Sequence, residues 1–190
     1  MCDPGNLYAT FVYRPNSAPA QAALRSFVAA NALFSALSEF VESKRLAVKW
    51  PNDVLLDGGK VAGILLESES GQDHVKWLAV GIGVNLATAP EGVTDAAHPP
   101  VSVGIDTPPV SFLNVLADHF AKEEDIFTRY GFPMVRDRWM AHAARKGQSI
   151  RARTTTETYT GIFQSVDDNG NLELSSSNGT KKIAAAEIFF

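Results

Sequence analysis

Lys49 and Lys60 are the residues of this chain whose type and setting could do chemistry. They stand in one stretch that reads Lys49-Trp50-Pro51-Asn52-Asp53, then Val54-Leu55-Leu56, then Asp57-Gly58-Gly59-Lys60-Val61-Ala62-Gly63-Ile64 and on to Glu67. Two lysines flank a compact β unit, one at a turn and one near the next, and an ammonium group held in place can stabilise an anion. Asn52 and Asp53 add an amide and a carboxylate between them. Gly63 has no side chain to keep a ligand or another backbone away. Downstream, Gly81-Ile82-Gly83-Val84-Asn85 places two more glycines on one side of an extended run. That glycine pair is not a dinucleotide fingerprint, because the third glycine position holds Leu86 and no helix signal follows.

The elements that must position these residues are short and extended. Leu46, Val48 and Trp50 alternate with Ala47 and Lys49, the period of a strand. Pro51-Asn52-Asp53 has turn chemistry. Val54-Leu55-Leu56 opens a second strand, and Asp57-Gly58-Gly59 supplies the positive φ angles of a tight hairpin. Lys60 begins the return strand, which runs to Glu67. Over 75–86, Leu78, Val80, Ile82 and Val84 alternate with Trp77, Ala79, Gly81 and Gly83. The face carrying the glycines can accept something bulky, either a ligand or a packed helix.

Around this unit, 6–14 reads as a strand with apolar residues on both faces, expected to be covered on both sides. A helix is expected over 17–42, capped by Ser17, with Pro19 in its first turn and an apolar stripe through Leu24, Phe27, Val28, Phe34, Leu37 and Val41. Residues 87–109 are irregular and proline-rich, with Val101-Ser102-Val103 as a candidate short strand. Two further helices are expected over 111–129 and 133–143. From Gln148 the texture changes to short β runs over 149–155, 158–166, 172–176 and 181–188. They are joined by Asp167-Asp168-Asn169-Gly170-Asn171 and Ser177-Asn178-Gly179 turns, which predicts a small β-barrel.

Composition excludes several classes. A chain of 190 residues holds one large domain, or one large and one small. A net charge of −4 argues against general nucleic-acid or anionic-membrane binding. Cys2 is the only cysteine, so no intrachain disulfide forms, which fits a reducing cytoplasm. No apolar run reaches the roughly 18 residues of a membrane helix. His74, His98, His119 and His142 are scattered without metal-ligand spacing, and there is neither a Gly-x-Ser-x-Gly elbow nor a Walker A loop.

The three blocks met above, in this order, resemble the signature of the biotin protein ligases, and the resemblance runs from Gly5-Asn6-Leu7-Tyr8 to the β-rich tail. It implies an α+β fold like that of class II synthetases and biotin–lipoate ligases. A mixed or antiparallel central sheet with packed helices would occupy 1–146, and an SH3-like β-barrel 147–190. It implies ATP-dependent attachment of biotin, through biotinyl-AMP, to a lysine of a carboxylase's biotin carboxyl carrier domain. Biotin and ATP would be substrates, with Mg²⁺ arriving with ATP and no metal site of the protein's own. By the same resemblance Lys60 bridges the biotin carboxylate and the α-phosphate, and Lys49 holds phosphate oxygens. Asn52 bonds phosphate or a Mg²⁺-bound water, and Asn85 bonds near the nucleotide. Asp53 either helps place Mg²⁺ or closes the turn, the second being favoured. Gly63, Gly81 and Gly83 let the ligand lie against backbone. A homodimer is compatible with the family, as is a cytoplasmic location.

One departure stands out. Family members carry, ahead of the first strand, a Gly/Arg-rich loop that folds over the adenylate. No Gly-Arg-Gly-Arg-Arg-Gly occurs in this sequence, and no arginine follows Arg153. The ligase domain is therefore expected to be N-terminally incomplete, which leaves two alternatives open. One is a non-catalytic binder of biotin or carrier on the same fold. The other is a lipoate-type acyl ligase, against which the pairing of the two lysine motifs speaks.

Overall fold

The computed structural model describes residues 4–93, 98–177 and 179–190. Its first sheet is built from β1 (Leu7–Tyr13), β2 (Leu46–Lys49), β3 (Asp53–Leu56), β4 (Gly59–Ser70) and β5 (Val75–Val84). The strands lie in the order β1-β5-β4-β3-β2, every neighbour antiparallel. Helices α1 (Pro19–Ala23), α2 (Arg25–Leu37), α3 (Pro109–Tyr130) and α4 (Phe132–Ala141) cover one face of it. The second sheet holds β6 (Ser149–Arg153), β7 (Thr158–Val166), β8 (Leu172–Ser176), β9 (Gly179–Ile183) and β10 (Glu187–Phe189), in the order β10-β6-β7-β8-β9, again antiparallel throughout. The α+β class and the five-stranded complement of a small barrel follow the expectation.

Helix α2 is the centre of the core. Val28, Ala29, Ala32, Leu33, Ala36 and Leu37 are all sealed from solvent. A helix apolar nearly all round can be buried on every side, and α2 packs against the first sheet, α3 and α4. Its two buried polar residues are both answered. Arg25 meets Glu124 at 2.8 Å, and Asn31 donates to Val135 O at 3.0 Å. The second sheet closes onto this helix. Trp50 Nε1 donates to Gly170 O at 2.9 Å, and a Cβ on Gly170 would sit 3.0 Å from Leu24 and 3.1 Å from Phe27.

Several expected elements differ. The helix expected over 17–42 is two helices with Leu24 between them, and α2 ends at Leu37. Ser17 caps neither, because its hydroxyl accepts from the buried Arg25 Nη1 at 3.1 Å. The last β run is two strands, since β9 pairs with β8 and β10 with β6 at opposite edges of the sheet. β1 is covered on one face only. Leu7 is buried and Ala9, Phe11 and Tyr13 pack against the core, while Tyr8, Thr10 and Val12 are exposed. Their face is the sheet surface that carries no helix among the described residues.

Candidate functional site

The first chemical unit is the β2–β3 connection. Lys49 and Asp53 face each other across the ladder and close a loop of Trp50, Pro51 and Asn52, with a cis Trp50–Pro51 bond. Asn52 ties this loop to the next strand: its Nδ2 donates to Ile64 O at 2.7 Å, and its carbonyl accepts from Ile64 N–H at 2.9 Å. The β3–β4 turn has φ of 50° at Asp57 and 84° at Gly58. Both central residues are left-handed, the type I′ geometry that matches strand twist.

Just past that turn β4 bulges. Val54 pairs with Ala62 and Leu55 with Lys60, so Val61 is an extra residue. A bulge re-aims side chains. Ala62 and Ile64 point into the core, and strict alternation would send Lys60 the same way. The bulge instead brings it to the open face beside Gly63, where its ammonium reaches Asp53. Lys49 Nζ lies 3.1 Å from Asp53 Oδ2 and Lys60 Nζ 2.6 Å from Oδ1. The second contact is a charge contact outside hydrogen-bond angles, so among the described residues the buried Oδ1 has no hydrogen-bond donor. The side chains of Lys49 and Asp53 are 7% and 11% exposed, that of Lys60 45%.

Gly63 makes this cluster possible. A Cβ there would come within 3.2 Å of Lys60 Cε and Nζ and 3.7 Å of Asp53 Oδ1. Gly63 also faces Gly83 across β4 and β5. Together with Gly81, Tyr8, Thr10 and Leu65 they form an open groove of about 500 Å³ with Lys60 at its rim. The glycine floor is bare: Gly83 is neighboured by the Tyr8 ring, and Gly81 by Leu65 and Thr10.

The structure thus gathers Lys49, Asp53, Lys60 and Gly63 into one cluster, with Gly81 and Gly83 as adjoining floor. Asp53, read from the sequence as a turn residue, is instead the first residue of β3 and the buried carboxylate between two ammonium groups. Asn85 lies just past β5, and its Nδ2 is occupied by Val101 O at 3.0 Å. No such occupant was foreseen for it, nor for Asn52. The sequence also gave no role to Tyr8, Thr10 or the segment 98–103. The second of the consecutive glycines, Gly59, was the available signal: a two-residue turn needs Gly58, while Gly59 lies against Val101, where a Cβ would come within 2.4 Å of its Cγ1.

Electrostatically the cluster is cationic, two ammonium groups to one carboxylate. His98 stands nearby, its Nδ1–H donating to Gly58 O at 3.1 Å. Burial, and then the positive charge of Lys49, hold its imidazole below the ordinary histidine value, against that hydrogen bond. Among the described residues no three His, Cys, Asp or Glu side chains gather as a metal cluster, and no helix is long and apolar enough to cross a membrane.

Comparison with known proteins shows what the chain is similar to. Residues 3–85 match the biotin/lipoate A/B protein ligase family and residues 147–190 the biotin protein ligase C-terminal domain. The chain is 50% identical over 193 residues to a biotin–[acetyl-CoA-carboxylase] ligase of Paracoccus denitrificans, covering 98% of this chain and 80% of that protein. It is 30% identical over 145 residues to the ligase of that name from Mycobacterium tuberculosis, covering 74% and 52%. The apo biotin protein ligase of Aquifex aeolicus superposes with a TM-score of 0.80 at 23% identity, covering 97% of this chain and 81% of that one. The same enzyme in complex with biotin and ATP superposes at 0.77 with 24% identity, covering 97% and 77%. The structural likeness establishes the fold.

Proposed function

This chain belongs to the biotin protein ligase family, and on that premise we propose that it joins biotin to a lysine of a biotin carboxyl carrier domain in the cytoplasm, using ATP. In the first step the biotin carboxylate attacks the α-phosphorus of ATP, forming biotinyl-AMP and expelling pyrophosphate. In the second, the carrier lysine's amine attacks the anhydride carbonyl and AMP leaves.

The first step sets one anion against another, and fixed positive charge lowers its barrier. The observation that carries this reading is Lys60, a half-exposed ammonium at the rim of a glycine-floored groove. At an effective dielectric of ~20, one unit pair at ~4 Å is worth about 4 kcal/mol. Lys60 meets the carboxylate and the α-phosphate. Asp53 holds that ammonium over Gly63 until the ligands arrive, and Lys49 anchors Asp53 from the buried side and adds its charge to the phosphate end. Gly63, Gly81 and Gly83 leave the backbone bare for the ligand. Asn52 keeps the loop between the lysines joined to β4 through Ile64, and Asn85 supports the nucleotide end. Both oxygens of Asp53 face ammonium groups, so the residues present do not fit a Mg²⁺ of the protein's own. That ion belongs to the ATP phosphates.

The test uses this chain with biotin, ATP, Mg²⁺ and a purified carrier domain. Pyrophosphate release and a mass gain on the carrier lysine are expected. Lys60→Ala should lower pyrophosphate release about 10²–10³-fold. Lys60→Arg should not restore it, because a planar fork replaces a compact charge. Near-normal release by Lys60→Ala would overturn the role of this lysine. Tight binding of a non-reacting biotinyl-AMP analogue without turnover would make the chain a binder only, and equal use of lipoate would sink the assignment to biotin.

A further inference from the structure

Lys60 lies beyond the last pair of the β4–β5 ladder, Ala62 with Val84, so no β5 residue meets its backbone groups on that side. Buried N–H and C=O groups without partners are costly, yet both groups of Lys60 are satisfied. Its N–H donates to Pro99 O at 2.9 Å and its carbonyl accepts from Val101 N–H at 2.9 Å, a parallel bridge centred on Pro100. The supplying segment, 98–103, is pinned at each end. His98 Nδ1–H holds Gly58 O. At the other end Val103 N–H donates to Asn85 O at 2.8 Å, and Asn85 Nδ2 to Val101 O at 3.0 Å. Gly59 lies directly beneath. A Cβ there would stand 2.4 Å from Val101 Cγ1 and 3.0 Å from both Val101 Cγ2 and Pro99 O. Its φ is not in the left-handed region, so close approach, and not conformation, requires glycine at this position.

We propose that residues 98–103 are a strap whose backbone sets where the Lys60 ammonium stands, and that Gly59, which leaves the strap room to lie there, is a positioning residue for the adenylation step. This rests on Lys60 as the bridging cation. The strap works through the backbone: it fixes the Cα from which the side chain reaches Asp53 at 2.6 Å. A displacement of about 1 Å in a reacting or charge-stabilising group can cost on the order of 10²-fold in rate.

Three variants of the full chain test it: Gly59→Ala, Val101→Ala and the pair together. Gly59→Ala should lower the rate of pyrophosphate release at saturating biotin and ATP by roughly 10- to 100-fold, with little change in KM. It should also speed hydrogen exchange at the Lys60 and Val101 amides. Val101→Ala alone should keep the rate while lowering Tm, because it truncates a side chain packed on the core. In the double variant two of the three close contacts vanish, so the rate should return to within a few-fold of Val101→Ala despite the lower Tm. A merely structural role predicts the reverse, with rate tracking Tm and no rescue, and that result overturns the proposal. So does Gly59→Ala with wild-type rate and protection. If the unmodified chain releases no pyrophosphate, the reaction assignment fails separately. The exchange measurement then decides the strap alone: faster exchange in Gly59→Ala restored in the double variant supports it, and unchanged exchange refutes it.

Discussion

Asp53→Asn removes one charge and keeps the shape of the side chain, which makes it the sharpest probe of the lysine cluster. Its carboxylate separates two ammonium groups, at 3.1 Å on the Lys49 side and 2.6 Å on the Lys60 side. The two pairs are not equal. Lys60 is 45% exposed, and an ion pair open to solvent contributes only about 0–1 kcal/mol. Lys49 is 7% exposed, and stripping a buried pair of one partner costs roughly 3–5 kcal/mol. The expected loss is therefore about 3–5 kcal/mol, nearly all of it from Lys49. At ~2–4 °C per kcal/mol for a chain of this size, Tm should fall by roughly 6–20 °C. Urea titration and calorimetry near pH 7 read this directly. Lys49→Met added to Asp53→Asn should recover most of the loss, because a neutral pair of similar volume replaces a stranded charge. Raising salt to about 1 M should change the wild-type stability little, since buried pairs are weakly screened. A loss under ~1 kcal/mol for Asp53→Asn, or a double variant no better than the single, would refute the assignment of Lys49 as a buried cation dependent on Asp53.

Two other perturbations probe how the parts are held. Gly170→Ala, at a φ of 81° and facing Leu24 and Phe27 at 3.0 and 3.1 Å, should cost about 2–4 kcal/mol. Trp50→Phe, losing the bond to Gly170 O, should cost about 1 kcal/mol; urea midpoints check both, and a neutral Gly170→Ala would mean that the second sheet does not dock through this turn. Stability should also fall on acidification. His98 and His142 are held below the ordinary histidine value first by burial, so the unfolded chain takes up protons first. Their contribution is complete above a pH of ~6.5 and is lost as pH falls from there toward the folded values, with a slope of at most ~1.4 kcal/mol per pH unit for each. His142→Phe, which can keep the stack on Phe34 at 3.8 Å, should flatten the slope; an unchanged slope in urea titrations would refute this.

The sequence made legible what turn chemistry and period-2 alternation determine locally. Asp57-Gly58-Gly59 reads as the positive-φ turn, and two of the three, Asp57 and Gly58, carry that φ, so the hairpin that carries Lys60 could be placed to within a residue. Gly81 and Gly83 share a face by alternation alone, and that face is the groove floor. The bulge at Val61 could not be read this way. Alternation puts Lys60 on the side of Ala62 and Ile64, and only the ladder register with Val54 and Leu55 shows otherwise. The strap was hidden for a related reason: the backbone partners of Lys60 come from Pro99 and Val101, in a proline-rich stretch with no periodicity. Ser17 was misread because capping is a local rule, whereas the demand of the buried Arg25 for acceptors is a tertiary one. β1 looked covered on both faces because Tyr8 and Val12 are apolar, and apolar residues at a groove wall carry the same local signature as those in a core.

Lys49 and Lys60 stand as equals in the sequence and as unequals in the fold. Lys49 is buried and committed to Asp53, whereas Lys60 reaches the same carboxylate from the solvent side, over the bare backbone of Gly63. Asp53 offsets the repulsion between the two ammonium groups and points Lys60 along the groove. On the proposed reading, an anion entering that groove would compete with Asp53 for Lys60 and leave Lys49 in place. The carboxylate then remains paired, so handing Lys60 to a ligand strands no buried charge. On that reading, a single aspartate between a buried and a half-exposed lysine would let the site engage anions without breaking the buried pair, and Gly63 would supply the space for that exchange.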